Sequence, residues 1–211
     1  MLKAAIPYSL ESIENINYIL EDTDIIQNSS VTYQDILNIY SEELEIKQSL
    51  FKNVCFKNCK MEKIYLNNCI FENCDLSNID MSKATLKRVS FLNCKLVGTI
   101  FESSYFENVY IKDSNLSNIY LDYSTISQSE FYNCMLNSSS ITNVHFKDIA
   151  LNECNLNLCN LSNTSLNKID LSTCIIDGIT IYEKDLKGVI LTQLQALEFL
   201  KILGIKIINH P

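Results

Sequence analysis

The sequence predicts an all-β solenoid, a fold in which short repeating units bury their apolar residues by stacking on one another. Every fifth residue from Phe51 to Leu186 is Leu, Ile, Phe or Met, over 28 consecutive positions. Three places further on, each unit has a small or β-branched residue almost throughout, and Lys184 is the one charged exception. A period of five is neither the 3.6 of an amphipathic helix nor the 2 of a half-buried strand.

The third position of each five-residue unit is typical of turns. It is Asn at 11 of the 28 sites and Gly at 98, 178 and 188, and these residue types adopt turn conformations at low cost. Each unit therefore has one large inward residue, one small inward residue and one turn residue, and the other two positions are mostly polar. A looser continuation of the pattern reaches back through Ile46, Ile36 and Val31, interrupted by Ser41.

Read in fives from residue 51, the chain runs FKNVC FKNCK MEKIY LNNCI FENCD LSNID. These units resemble the pentapeptide-repeat family, whose consensus is approximately A-(D/N)-L-x-x, over about residues 46–190. The resemblance implies a right-handed, quadrilateral parallel β-helix in which four units form one coil of 20 residues. The departures are modest, since Cys often replaces Ala in the small inward column and Asn is richer at the turn position.

A 20-residue coil predicts which side chains stack. One interior column should contain Phe51, Phe71, Phe91, Ile111, Phe131, Leu151 and Leu171. An adjoining column should contain Cys74, Cys94, Ser114, Cys134, Cys154 and Cys174. Because stacked strands lie about 4.8 Å apart, eight coils would form a rod roughly 40 Å long.

The pattern stops at both ends. Residues 1–45 are predicted to form an N-terminal cap or arm with an irregular first coil, including a helix over residues 10–20 capped by Ser9. Residues 191–211 are predicted to form a capping helix that begins at Thr192 and stops at Gly204, followed by a closing strand at 205–208.

The C-terminal helix has more apolar residues than one covering face requires. This surplus predicts a two-fold interface between copies, formed by Leu197, Phe199, Leu200, Ile202 and Leu203. The resemblance to the pentapeptide-repeat proteins that protect DNA gyrase from quinolones also implies an end-to-end homodimer. A simple cap on a monomer remains the alternative.

Composition argues against catalysis. The chain has two His and four scattered Gly, so a phosphate-binding glycine loop is not expected, and His145 lies on an outward position while the nearby cysteines point inward. Eight of the nine cysteines occupy the small inward column, where Cys packs as a compact apolar residue. We therefore expect no enzyme activity and no cofactor, and we interpret the cysteines as packing residues, with a metal or thiol sensor as the alternative.

A signal peptide and a membrane span are not expected, and the predicted location is the cytoplasm.

Charge is distributed unevenly along the chain. The net charge is −7 over residues 1–50, +4 over 51–95, −6 over 96–190 and +1 over the remainder. The acidic half, around Glu102, Asp113, Asp122 and Glu130, is the candidate partner-binding surface. Glu102 and Asp122 are 20 residues apart and should lie one above the other. A solvated acidic face is the simpler interpretation of that pair.

The predicted function is binding of a protein partner, with a type II topoisomerase such as gyrase as the leading candidate by partial imitation of DNA. Duplex DNA has one charge per roughly 1.7 Å, so a dimer about 80 Å long would need about 45 negative charges. The acidic halves of a dimer supply a net of 12, twice the −6 of one chain, so the imitation must be local. Direct nucleic-acid binding is not expected, because no basic stripe with aromatic residues runs through the acidic half. The alternative is a general interaction scaffold that recruits its partner through the acidic N-terminal arm.

Overall fold

Parallel pairing between residues 20 positions apart sets the architecture. The structure, a computed structural model, describes residues 2–202, 204–206 and 208. Tyr65 pairs with Thr85, Thr85 with Tyr105, and Tyr105 with Thr125, all in parallel. The predicted 20-residue coil is therefore confirmed, and the fold is an all-β parallel β-helix.

Each coil has four sides, which we number in chain order as faces 1 to 4. Face 1 contains the strands Ile25–Gln27, Glu45–Lys47, Tyr105–Glu107, Thr125–Ser127 and His145–Lys147. Face 2 contains Ser29–Thr32, Leu50–Lys52, Tyr110–Lys112, Glu130–Tyr132 and Ala150–Asn152. Two longer strands, Tyr65–Glu72 and Thr85–Leu92, run through both of these faces. Face 3 begins with Asp35–Leu37 and Cys55–Lys57, face 4 begins with Tyr40–Ser41 and Lys60–Met61, and both continue as single parallel bridges.

The third residue of each unit forms the corner between two faces. Every non-glycine residue that the structure records with positive φ occupies this position, from Asn28 (φ 52°) to Lys168 (φ 65°). Asn and Gly enter this left-handed region at the lowest cost, which explains their abundance here. Even Leu158 adopts it (φ 60°). Hydrogen bonds between coils hold the corners in place, as where the N–H of Asn93 donates to the carbonyl of Lys112 at 3.0 Å.

The interior consists of the predicted columns. The rings of Phe51, Phe71 and Phe91 stack with centroids 4.9 and 5.0 Å apart, a spacing set by the coils themselves. The column continues through buried side chains at Ile111, Phe131, Leu151 and Leu171. The fourth-position residues form the second set of buried columns, apart from half-buried Ile149 and Val189 and exposed Lys184.

The N-terminal region joins the β-helix directly. Strand Ile25–Gln27 pairs with Glu45–Lys47 in the same 20-residue register, so residues 25–45 form a coil that continues into the next one. Upstream of this coil, Glu11–Ser12 pairs with face 2 at Ser29 and Ser30.

Helix α1 covers the first coil and spans Ile16–Asp22. Its N-cap is Asn15, whose side-chain oxygen accepts the N–H of Tyr18 at 3.3 Å. The helix therefore begins at Asn15 and not, as predicted, after Ser9, because the strand at Glu11–Ser12 occupies the intervening chain. The inward side chain of Ile16 is fully buried.

The last coil leads through a 3₁₀ helix, Glu183–Leu186, into helix α2, Gln193–Ile202. Thr192 caps α2 as predicted. Its hydroxyl accepts the N–H of Gln195 at 3.2 Å, and the side chain of Gln195 accepts the N–H of Thr192 at 2.8 Å. In the described part of the chain no helix is long and apolar enough to cross a membrane.

The chain turns after α2 at Gly204, which has φ +71°. The N–H of Ile205 donates to the carbonyl of Leu200 at 2.9 Å, a bond that closes the C-terminal end of the helix. Ile205, Lys206 and Ile208 are not in a strand. The predicted closing strand is therefore wrong at these residues, because the structure pairs them with no neighbouring strand. Ile207, the remaining residue of that prediction, lies outside the described residues.

Candidate interaction surfaces

The small inward residues satisfy buried backbone groups, a role that the sequence pattern does not reveal. Thr99 donates its hydroxyl to the carbonyl of Leu76 at 2.8 Å, and Cys94 donates its thiol to that of Phe71 at 3.4 Å. In each case the acceptor lies 23 residues earlier. The same contact is made by Cys59, Cys69, Cys74, Ser104, Ser124, Cys134, Ser139, Cys154, Cys159, Thr164 and Cys174. A small residue with a donor therefore suits this column both by its size and by its hydrogen bond.

Two thiols of this column, those of Cys69 and Cys159, have the environment of packing residues. Burial raises the pKa of the Cys69 thiol to about 11, and it raises the pKa of Cys159 to about 11 as well. Both thiols are therefore protonated at neutral pH, and a protonated thiol is a poor nucleophile and a poor metal ligand. Within the described residues, no group of three or more His, Cys, Asp and Glu side chains is placed to hold a metal ion.

A serine in this column accepts a backbone N–H more strongly than a cysteine does. Ser114 accepts the N–H of Cys94 at 3.0 Å, whereas the N–H of Cys74 faces the weakly accepting sulfur of Cys94. We expect Cys94→Ser to be more stable than Cys94→Val by about 1–3 kcal/mol, because valine also removes the donor for the Phe71 carbonyl. Urea unfolding followed by circular dichroism measures the difference. A valine variant as stable as the serine variant would show that packing alone selects the residue.

Folding brings the acidic N-terminal block and the basic block after it into contact. Because the blocks are about one coil apart, Lys57 lies 2.6 Å from Asp35 and Lys63 lies 3.2 Å from Glu42. Further pairs join Lys52 to Glu72, Lys60 to Asp80, Lys95 to Asp75 and Lys87 to Glu107. Residues 25–45 are therefore part of the coils, with Asp35, Glu42 and Glu45 in ion pairs, and do not form a free acidic arm.

The four predicted partner-binding acids lie on opposite sides of the coil. Glu102 and Asp122 are one above the other on face 4, as their spacing of 20 predicts. Glu130 is on face 2, and Asp113 is at the corner where face 2 ends. The structure therefore divides these acids into two pairs and does not gather them into one patch.

These acids differ in how strongly the protein itself engages them. The carboxylate of Asp122 accepts hydrogen bonds from the hydroxyl of Ser140 at 2.7 Å and the N–H of Thr142 at 2.9 Å. Asp113 accepts from the side chain of Asn133 at 2.7 Å, and Glu130 accepts from Asn152 at 3.1 Å. Glu102 is exposed, and no ion pair joins it to another of the described residues. Glu102 is thus the acid most available to a partner.

Face 4 combines these acids with exposed tyrosines. Tyr120 (48% exposed) and Tyr123 (62% exposed) flank Asp122. From Ile100 to Asn143 the outward positions of this face contain no Lys or Arg. Aromatic residues are frequent anchors of protein interfaces, so this part of face 4 has the composition of a recognition surface for a basic partner.

The C-terminal end places the predicted interface residues differently. Phe199 is buried at 5% exposure and belongs to the protein's own core, so its side chain covers the last coil and is not offered to a second copy. Leu200 is half-buried and Leu197 is 38% exposed. The side chain of Ile202 and the whole of Leu203 lie outside the described residues.

Leu194, which the interface prediction did not include, is the most exposed leucine of α2, at 77%. It lies three residues before Leu197, so both are on one side of the helix. The helix is fixed in this orientation by Gln195, whose side-chain amide donates to the carbonyls of Leu171 and Cys174 at 2.8 Å. The position of this anchor three residues after the N-cap is the sequence signal that would have identified the outer side of the helix.

A shallow groove of about 610 Å³ follows the corner between faces 2 and 3. Its wall is a ladder of corner side chains in which Asn93 donates to Asn73 at 2.8 Å and Asn133 donates to Asp113 at 2.7 Å. The thiol of Cys94 lies behind this ladder at 2% exposure. At this corner the groove is thus lined by polar side chains that bond to one another in pairs.

Comparison with known proteins agrees with this geometry. A family model described as a pentapeptide repeat region matches residues 44–121 and 84–158, and a second, described as pentapeptide repeats (8 copies), matches residues 139–178. No curated protein matches the sequence.

Several solved structures are similar. A trypsin-treated form of QnrB1, a plasmid-mediated fluoroquinolone resistance protein, is 21% identical over 95% of this chain and 100% of its own, with a TM-score of 0.48. HetL, involved in heterocyst differentiation regulation in the cyanobacterium Nostoc sp. strain PCC 7120, is 15% identical over 79% and 86%, with a TM-score of 0.41. Rfr23 from the cyanobacterium Cyanothece 51142 is 12% identical over 83% and 96%, with a TM-score of 0.36. At these values the likeness carries no functional information.

Proposed function

The chain belongs to the pentapeptide-repeat family, and from that premise we propose that it is a non-enzymatic, protein-binding solenoid whose acidic faces engage a DNA-binding protein. The observation that carries the proposal is the separation of charge around the rod. Over residues 96–190, faces 2 and 4 with their corners contain seven of the eleven acids but only Lys112 and Lys184 among the five bases. Two opposite sides of the rod are therefore negative.

The partner we propose is a type II topoisomerase, bound by partial imitation of DNA. A protein that encloses a duplex presents basic surfaces to both sides of it, and a rod with two acidic sides is complementary to such a cleft. The imitation is local, because the charge density of the rod is far below that of DNA. A topoisomerase partner would place the protein in the cytoplasm with its target.

The test is a DNA supercoiling assay with purified gyrase, with and without a quinolone. We expect the protein to inhibit supercoiling, or to protect it from the drug, at micromolar concentration. Glu102→Lys combined with Glu130→Lys, one change on each acidic face, should raise the required concentration at least tenfold, because both changes replace attraction by repulsion. The effect should also weaken as salt is raised.

Asp177→Lys is the matched control. It makes the same change of charge as each single substitution of the double variant, at an exposed residue of face 3 outside the acidic faces, and should leave the activity unchanged. Absence of both inhibition and protection by the unmodified protein at micromolar concentration would exclude the topoisomerase proposal. An equal loss in the control would show that net charge, and not its position, is recognised.

We also propose that two copies associate through their C-terminal ends. Besides Leu194 and Leu197, the exposed apolar residues of this end are Tyr182, Ile190, Ile205 and Ile208. Exposed apolar residues collected at one end of a rod favour association of two copies. Phe199 supports this surface from beneath.

Light scattering coupled to gel filtration tests the dimer. The 24.2 kDa chain should elute with twice its monomer mass, and Leu194→Asp combined with Leu197→Asp should return it to a monomer. The control is Leu158→Asp, a change at a leucine that is 65% exposed on the lateral surface and that should not alter the mass. If the unmodified protein stays monomeric up to about 100 μM, the proposed interface is excluded, because this concentration is far above the micromolar Kd of a typical weak complex.

A further inference from the structure

The N-terminal segment, residues 2–7, lies along the outside of the rod at the corner between faces 1 and 2. The N–H of Leu2 donates to the side-chain oxygen of Asn108 at 2.6 Å, and that of Ala5 donates to the side-chain oxygen of Asn68 at 3.4 Å. The N–H of Glu11 then reaches the carbonyl of Asn28. We call residues 2–7 the strap. We call the corner residues Gln48, Asn68, Arg88 and Asn108 the seam.

The spacing of the two contacts fits an extended chain. Asn68 and Asn108 are two coils apart, which corresponds to about 9.6 Å along the rod. Leu2 and Ala5 are three residues apart, and an extended chain covers about 10 Å over that length. The coil spacing therefore places two amide oxygens where an extended peptide presents two backbone N–H groups.

Burial shows that the strap covers the seam and nothing beyond it. Asn108 is buried at 4% exposure, and Gln48, Asn68 and Arg88 are half-buried. On the same corner past the end of the strap, Gln128, Asp148 and Lys168 are exposed. The equivalent residues of the corner between faces 4 and 1 are also exposed, namely Lys63, Lys83, Ser103, Tyr123 and Asn143.

Arg88, the one arginine of the chain, organises the acceptors. Its Nε donates to the side-chain oxygen of Asn68 at 2.8 Å, and a terminal nitrogen donates to that of Asn67 at 2.8 Å. Because a guanidinium only donates, these bonds turn the oxygen of Asn68 toward the strap. The oxygen of Asn108 is oriented in a similar way, since its amide nitrogen donates to Gln128 at 3.2 Å.

We propose that the seam is a docking groove for an extended segment of a partner protein and that the strap is its resident, displaceable occupant. The partner segment has a small side chain where the half-buried Ala4 lies, and it has two N–H groups, three residues apart, that are free to donate. For residues 2–7 the structure records two hydrogen bonds to side chains and no strand pairing. Each of these hydrogen bonds is worth about 0.5–1.5 kcal/mol net, so a competing segment can replace the strap.

The linker to the strap favours a partner protein over a second copy of this chain. Residues 8–10 join the strap to the paired strand Glu11–Ser12. Three residues reach about 10 Å at most, too short to carry the strap from its own first coil to the seam of a separate rod. The strap therefore binds the seam of its own chain, and the short linker gives it a high effective concentration there.

The test uses the full chain and a fluorescent probe, the N-acetylated peptide LKAAIPYSL with the sequence of residues 2–10. Leu2→Pro combined with Ala5→Pro removes both N–H donors of the strap and leaves the seam intact. In fluorescence anisotropy the probe should bind this variant at least tenfold more tightly than the unmodified protein. Lys3→Pro, which keeps both donors, should behave like the unmodified protein.

A second pair of variants locates the binding. In the double-proline background, Asn108→Gly removes one acceptor at a corner of φ +56°, which glycine tolerates, and should weaken probe binding at least fivefold. Asn118→Gly makes the same change at the corner between faces 3 and 4 and should have no effect. Equal binding of the probe to the unmodified and double-proline proteins, or binding indifferent to Asn108→Gly, would overturn the proposal. A doubled mass by light scattering that Asn108→Gly abolishes would assign the groove to a second copy and overturn it as well.

Discussion

Phe101→Asp should abolish the cooperative unfolding transition of the protein. Phe101 is 1% exposed, and its ring meets that of Phe106 edge to face with centroids 5.2 Å apart. Losing a buried phenylalanine costs about 3–5 kcal/mol, and burying an unpaired carboxylate costs more, so the sum approaches the whole stability of a typical domain. Because each coil is stabilised by its two neighbours, unfolding of the coil that contains Phe101 also removes the contact between the two halves of the rod.

Circular dichroism during thermal unfolding measures this effect. The loss of stability relative to the unmodified protein should be smaller at acid pH. Burial raises the pKa of the introduced carboxyl group, and its neutral form costs less to bury than its charged form. The control is Asn118→Ser, at an exposed corner of φ +59°. Ser103 and Ser138 already adopt this conformation, so the control should change stability by about 0.5 kcal/mol or less. A Phe101→Asp protein that melts like the control would contradict the stacked interior.

The features that were predictable from sequence are those that recur in every coil. The period of five indicated a large inward, a small inward and a turn position, and the resemblance to the pentapeptide-repeat family implied four units per coil, so the interior columns could be predicted. The division of the four candidate acids was also contained in the numbering. Glu102 and Asp122 differ by 20 and share a face, whereas Glu130 stands 28 residues from Glu102 and falls on another.

The features that were not predictable depend on contacts outside the repeat. The start of α1 was misplaced because Ser9 and Asn15 are both acceptable N-caps, and the choice is made by strand pairing at Glu11–Ser12. The sequence of residues 2–7 does not predict where they bind, because their acceptors Asn68 and Asn108 are 40 residues apart and come together only on the folded corner. The burial of Phe199 likewise depends on how α2 rests on the last coil.

Thr164→Val should lower the free energy of unfolding by about 2–3 kcal/mol, although valine has nearly the same shape. Thr164 is fully buried, and its hydroxyl donates to the carbonyl of Ile141 at 2.6 Å while accepting the N–H of Val144 at 3.0 Å. Valine leaves both backbone groups without this bridge. A direct bond between them, as where the N–H of Ile169 reaches the carbonyl of Leu166 at 3.0 Å below Val189, compensates only in part.

Thr164→Ser separates hydrogen bonding from packing. It keeps both contacts of the hydroxyl and loses one methyl group, worth about 0.8 kcal/mol, so the order of stability should be threonine, serine, valine. Chemical unfolding of the three proteins under identical conditions gives this order directly. If valine were as stable as threonine, the donors found throughout the small inward column would have no energetic role, and the frequency of Cys, Ser and Thr there would have to be explained by size alone. If the expected order is found, Cys, Ser and Thr are favoured in this column because they donate a hydrogen bond to the carbonyl of a first-position residue in the preceding coil.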